Sequence, residues 1–361
     1  MNAEFTMRLQ KIEGVLNAYL PTQSDGGWRN FSFGSIAPCV NDSHFSNLIS
    51  PCRSLIDSGG KRWRPLLLVL CAELSAGAKN SSQGSVESSL EKAYGITPLV
   101  EFAHTASLIH DDIEDSSDTR RGKPASHITY GLDVALNAAS WLYFEAAASV
   151  GRMNFSDSEK VRFYELFLTE LRRLHLGQAM DILWHRNPDL IPSVQEYTAM
   201  VQNKTGTLSR LAVKLGFLSG GAGDSEIEEA GSVAQNIGTG FQILDDVINL
   251  TAGNPGKKRG DDIVEGKKSL PVLIHLEKNP QDAGTLASLF KKARDEGIES
   301  PSVEEAISIL TKSSAIDEAR AKGIEIVAAN SEKLADFFGT GSSKAGLLIK
   351  ELLASLQEKA R

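Results

Sequence analysis

Val100-Glu101-Phe102-Ala103-His104-Thr105-Ala106-Ser107-Leu108-Ile109-His110-Asp111-Asp112-Ile113-Glu114-Asp115 is the stretch on which the reading turns. Val100, Phe102, Ala103, Ala106, Leu108 and Ile109 fall at spacings that suit a helix with one buried stripe, so residues 94–115 are read as helical. Four residues turn a helix through roughly 400°, which leaves Asp111 and Asp115 on one face, one above the other. Crowded carboxylates repel and raise one another's pKa unless a cation joins them. Mg²⁺ suits this pair, because it binds one or two carboxylates and completes its shell with water and phosphate oxygens.

A second acidic group, Gln242-Ile243-Leu244-Asp245-Asp246, repeats the format. Phe241, Leu244 and Ile248 read as the buried side of a helix that presents Asp245 and Asp246. Either group alone reads as a solvated helical face. Both together, with the cationic segments around them, point to an anion held through metal ions.

Those cations lie in several places. Gly59-Gly60-Lys61-Arg62-Trp63-Arg64-Pro65 sets three beside two glycines, and Pro65 opens the apolar run Leu66 to Leu70 where it suits the first turn of a helix. Cationic side chains at a helix entrance favour a phosphate-bearing ligand. Arg120 and Arg121 follow the first acidic group, and Lys204-Thr205-Gly206 closes a polar stretch between two helical patterns. Gly256-Lys257-Lys258-Arg259-Gly260 and Glu265-Gly266-Lys267-Lys268 follow the second. Metal ligation alone would not require so many.

With these motifs in order across residues 55–275, the chain resembles the trans-isoprenyl diphosphate synthases of the polyprenyl synthetase family. The resemblance implies an all-α fold, a single-domain isoprenoid synthase-type helical bundle around a central cavity. It also implies Mg²⁺ dependence, a homodimer, and condensation of isopentenyl diphosphate with an allylic diphosphate. Carried over by motif, Asp111 and Asp115 ligate metal with Asp112 in support, and Asp245 ligates with Asp246 beside it. Arg120, Lys204 and Lys257 grip the allylic diphosphate and Lys267 adds charge. Lys61, Arg64, His104 and Arg121 match the positions that hold isopentenyl diphosphate. Thr205 and Gln242 sit beside the developing allylic cation, and Gln178 and Asp181 fit the middle motif. The second acidic motif ends in Asn249 where Asp is commoner, a form that looks like the eukaryotic-type geranylgeranyl diphosphate synthases.

Product length follows from what blocks the space beneath Asp111. Ala106 and Ser107 are small, so the upper part is open, whereas an aromatic there would suggest a fifteen-carbon limit. Tyr143, Phe144 and His175 match a deeper floor in the fungal geranylgeranyl enzymes, and a twenty-carbon product is expected. By residue type alone these three are equally well core aromatics and an ordinary histidine.

Composition bounds the rest. The 361 residues are 41% hydrophobic, ample for a core, and helical patterns dominate, with 135–150, 158–184 and 303–328 the clearest. Residues 1–45 are expected to form a leading helix and an irregular segment over 21–45, and 46–361 an all-helical domain, with exposed loops at 75–90 and 219–225. A net charge of −8 argues against nucleic acid. Cys39, Cys52 and Cys71 lack metal-ligand spacing, the histidines show no zinc pattern, and no segment reaches a membrane span or resembles a secretory signal. A cytoplasmic enzyme is expected. The alternatives are a farnesyl diphosphate synthase, a terpene cyclase, for which the Lys61-Arg64 group would have no purpose, and a noncatalytic regulatory subunit, which should have lost acids or cations that stand here.

Overall fold

A computed structural model describes residues 2–79, 82–253 and 258–357 of the chain. The first helices are α1 (Ala3–Tyr19), α2 (Gly26–Phe33), α3 (Asp42–Asp57), α4 (Trp63–Ala78), α5 (Gln83–Gly95) and α6 (Thr97–Glu114). A short hairpin, β1 (Thr119–Arg120) and β2 (Lys123–Pro124), precedes α7 (Ser126–Tyr130), α8 (Leu132–Arg152) and α9 (Asp157–Arg186). Then come α10 (Val194–Lys204), α11 (Gly206–Ser219), α12 (Asp224–Thr251), α13 (Asp261–Glu265) and α14 (Leu270–Lys278). The last are α15 (Ala283–Glu296), α16 (Pro301–Lys312), α17 (Ala315–Ala335) and α18 (Lys344–Gln357). The hairpin is the only sheet among the described residues, so the fold is all-helical.

Several boundaries differ from those read in the sequence. The helix expected over 94–115 begins at Thr97, because the preceding helix closes at Gly95 and Pro98 sits in the first turn of the next. Residues 21–45 are not wholly irregular. Asp25 caps α2 by accepting a hydrogen bond from Trp28 N, and Trp28 is buried. The loop expected over 75–90 is shorter, since α4 runs to Ala78 and α5 starts at Gln83. The pattern over 303–328 divides at Ser314, whose φ of 61° no helix continues.

The chain forms two compact units. One comprises Met1–Thr169, Leu211–Ala230 and Ser343–Gly346, the other Glu170–Arg210, Gly231–Ser342 and Leu347–Arg361. In the first, α6 packs on α8, α4 and α1, and Val100, Phe102, Ala103, Ala106 and Ile109 are fully buried. Helix α4 buries the whole run Leu66 to Ala72, as a helix apolar all round must. In the second unit α14 packs on α17 and α10, and α15 on α16 and α13, around Trp184, Tyr197, Val247, Leu273, Phe290 and Ile307.

Candidate active site

In the first unit the last turn of α6 presents the acids. Asp111 and Asp115 are half-buried, and Asp115 N donates to Asp111 O at 2.8 Å as the helix closes. Asp112, one residue and about 100° on, turns inward to 1% exposure. It accepts from Arg120 Nε at 2.8 Å and also from the terminal nitrogen of the same guanidinium, which lies 3.5 Å from Asp111 Oδ2. Asp112 therefore holds Arg120 beside Asp111. The hairpin makes this possible. Arg121 and Gly122 both have positive φ, 54° and 75°, the pattern of a two-residue I′ turn, and Gly accepts it without strain.

The cationic loop is built differently from its sequence appearance. Of its three cations only Lys61 is exposed and Arg64 half-buried, whereas Arg62 is buried in left-handed backbone at the start of α4. Its guanidinium donates to Glu13 Oε1 at 2.8 Å, Glu101 Oε1 at 2.9 Å and Ile56 O at 2.6 Å. Arg62 thus shapes the loop from within, whereas Lys61 lies at its surface and Arg64 is half-buried. Arg121 is tied to the same loop through Leu55 O, at 3.0 Å, and Gly59 O. Burial, then the charges of Arg64, Arg121, Arg120 and Arg62, hold His104 well below the usual histidine range. It is a neutral imidazole among four guanidiniums, ready to hydrogen bond without adding charge. Buried Glu101 offsets part of this field, and burial raises its own pKa while Arg62 opposes the rise.

The positions expected to set product length differ in burial. Ala106 is fully buried, and Ser107 is half-buried and donates to His104 O at 2.8 Å. Tyr143 is buried and stacks on His110 with ring centroids 5.6 Å apart, and burial pushes its hydroxyl pKa up. Phe144 is 76% exposed. Adjacent helical residues point about 100° apart, and here Tyr143 turns inward while Phe144 faces out. His175, in the second unit, is exposed as well.

The second unit holds the remaining groups. Lys204 ends α10 and pairs with buried Asp181 at 2.6 Å. Gly177 lets α9 meet α10 here, since a Cβ on it would stand 2.7 Å from Lys204 Cα. Gln178 is buried beside it. Thr205 Oγ1 donates to Gln242 Oε1 at 2.8 Å, and Gln242 Nε2 donates to Asp246 Oδ1 at 3.0 Å. Asp246 Oδ2 accepts from Tyr197 at 2.6 Å and Leu270 N at 3.2 Å.

Asp245 is exposed but Asp246 is buried, which corrects the sequence picture of both on a presented face. The deeper side of α12 is Ile243, Val247 and Leu250, with Asp246 in line, whereas Phe241 and Ile248 are half-buried around Leu244. Burial raises the Asp246 pKa, opposed by its three donors. Asn249 is buried, and its Oδ1 accepts from Asp262 N at 3.3 Å, which ties the last turns of α12 to the start of α13. Lys267 pairs with Glu265 at 2.5 Å, and Lys257 lies outside the described residues.

The carboxylates of Asp111 and Asp115 in the first unit, and that of Asp245 in the second, are hard oxygen donors of the kind Mg²⁺ takes. Among the described residues no three His, Cys, Asp or Glu side chains form a closed cage. An ion that takes most of its oxygens from water and phosphate needs none. Sequence reading missed Glu101, whose sign was a lone acid in the apolar run of α6, and left Tyr197 without a role.

Comparison with known proteins follows the same lines. The polyprenyl synthetase family profile matches residues 46–310. A geranylgeranyl pyrophosphate synthase of Macrophomina phaseolina is 35% identical over 260 residues, 71% of this chain and 76% of the relative. A geranylgeranyl diphosphate synthase of Methanosarcina mazei is 33% identical over 289 residues, 80% and 83% of the two chains. The crystal structure of the geranylgeranyl pyrophosphate synthetase of Pyrococcus horikoshii is similar with a TM-score of 0.76 at 28% identity, covering 99% of this chain and 97% of that one.

Proposed function

The chain belongs to the polyprenyl synthetase family and is a trans-prenyltransferase, and we propose that it extends an allylic diphosphate with isopentenyl diphosphate to the twenty-carbon product. One observation carries the two-substrate reading. The first unit builds paired carboxylates at the end of α6 and, about two turns earlier on the same helix, sets His104 among the charges of Arg64 and Arg121, with Lys61 on the loop that precedes α4. The first suits a diphosphate met through metal, the second a diphosphate met directly by cations. A cyclase would use only one of them.

In this reading Asp111, Asp115 and Asp245 hold Mg²⁺, which when bound neutralises the diphosphate as charge gathers on it. Asp112 and Asp246 act behind them, through Arg120 and Gln242. Arg120, Lys204 and Lys257, with Lys267, grip the allylic diphosphate, and its carbon–oxygen bond breaks toward them. Thr205 and Gln242 face the resulting cation. The isopentenyl double bond forms the new carbon–carbon bond, and a proton leaves to the released pyrophosphate. Tyr143 limits the product, and small Ala106 and Ser107 leave room above it.

The exposed apolar residues Ile128, Leu132, Leu136 and Phe144 lie on α7 and along α8 at intervals of four or eight, and a second copy of the chain covers them. Catalysis is assigned to residues 46–361 with 1–45 as a preceding segment, and the unbridged Cys39, Cys52 and Cys71 suit the cytosol. Steady-state kinetics of Arg64→Ala test the assignment of substrates. The KM for isopentenyl diphosphate should rise about tenfold or more while that for the allylic diphosphate stays unchanged. Equal rises in both would reject the division.

A further inference from the structure

We infer that Tyr197 is a positioning residue that fixes the polarity of Thr205 through Asp246 and Gln242. The inference rests on the prenyl-transfer reading above and adds to it a residue that touches neither substrate nor metal.

Every link lies within the second unit. Tyr197 is 2% exposed, and its hydroxyl donates to Asp246 Oδ2 at 2.6 Å. The backbone N–H of Leu270, which can only donate, reaches the same oxygen at 3.2 Å. With Oδ2 so engaged, Oδ1 is left for Gln242, which stands one helical turn earlier and is bonded at 3.0 Å. A carboxylate offers only lone pairs, so the Gln242 amide must turn its NH₂ toward it. The amide oxygen then faces Thr205, and the Thr205 hydroxyl, 2.8 Å away, must give its hydrogen to that oxygen. The hydroxyl's lone pairs are thereby left on its other sides. A hydroxyl committed in this way presents its negative end to a nearby cation without having to reorient during ionisation, which is the electrostatic preorganisation that lowers a barrier.

Remove the Tyr197 hydroxyl and the carboxylate can rotate or share its oxygens. Where that rotation takes Oδ1 out of reach of Gln242 Nε2, the amide is no longer held and gains a second orientation, in which its NH₂ points at Thr205 and the threonine hydrogen is free to face the cation. That would oppose the reaction. The effect belongs on turnover and not on diphosphate binding, since neither Tyr197 nor Asp246 is assigned to grip a substrate.

The test is a double-mutant cycle with Tyr197→Phe and Thr205→Val, measured with saturating isopentenyl and allylic diphosphates. Tyr197 lies in α10 and Thr205 caps its C-terminus eight residues on, about 12 Å along the axis, a separation at which unlinked substitutions act independently. Tyr197→Phe should lower kcat about tenfold and leave both KM values within about twofold. In the Thr205→Val background the same change should have no further effect on kcat. Replacing Tyr197 with 4-aminophenylalanine, which restores a donor, should recover turnover. Multiplicative effects of the two substitutions, or an undiminished kcat in Tyr197→Phe, would overturn the inference and leave the prenyl-transfer reading intact. Absence of condensation by the unaltered protein would overturn both. A loss from Tyr197→Phe that 4-aminophenylalanine does not recover would overturn the inference too, and assign the tyrosine to packing.

Discussion

Gly177→Ala is the smallest change that should disturb Lys204 without touching its side chain. The added methyl would lie 2.7 Å from Lys204 Cα and from the Asn203 carbonyl carbon, where ordinary contact begins at 3.4 Å. Those neighbours are backbone, so no rotamer change relieves the clash. Relief requires α9 and α10 to part by about 1 Å, and overpacking of this kind costs about 1–3 kcal/mol. The same shift acts on Lys204, whose 2.6 Å pair with Asp181 spans these two helices. Displacing a positioned group by about 1 Å reduces turnover by about 10²-fold. Urea unfolding should report the stability loss, and initial rates with varied allylic diphosphate should show most of the kinetic defect, with the KM for isopentenyl diphosphate little changed. A Gly177→Ala variant with ordinary stability and allylic kinetics would refute the argument that this contact sets Lys204.

Asp111→Ala should reduce turnover by about 10³-fold while circular dichroism and the unfolding midpoint stay close to the parent, and an unchanged rate would remove Asp111 from the metal group. Ser107→Phe should shorten the product to fifteen carbons at little cost to stability. The same residue at fully buried Ala106 should shorten it at a cost of about 1–3 kcal/mol, as read by product mass and thermal melts. Buried Glu145 accepts from Ser32 at 3.0 Å, and burial pushes its carboxyl pKa from 4.5 up to about 7. A raised acid pKa means that its stability contribution is full below pH 4.5 and is lost as pH rises through about 7, by on the order of 3 kcal/mol at most. Glu145→Gln should flatten that part of the stability profile between pH 5 and 8, and a parallel profile would contradict the assignment. Leu136→Glu with Phe144→Glu should shift sedimentation to a monomer if a second copy covers this face of α8.

Much of the architecture was legible because it obeys a single period. The apolar stripe of α6 and the four-residue offset of Asp111 and Asp115 need no distant information, and the junction at Lys204-Thr205-Gly206 is local too. What stayed hidden depended on partners far along the chain. Arg62, Lys61 and Arg64 are three similar cations in sequence. The acids Glu13 and Glu101, the carbonyl of Ile56 and a left-handed backbone turn Arg62 inward. Asp246 looks like the twin of Asp245 until Tyr197 and Leu270 N pack over it. The I′ turn at Arg121-Gly122 joins strands of two residues each, too short to leave an alternating pattern. Helix α12 is buried along more than one side, so the stripe of Phe241, Leu244 and Ile248 named the shallower face.

The most direct measurement is mass analysis of the products formed when purified protein is given Mg²⁺ and isopentenyl diphosphate with dimethylallyl, geranyl or farnesyl diphosphate in turn. A twenty-carbon diphosphate is expected from the primers that are extended. No chain extension with any primer would contradict the prenyl-transfer reading.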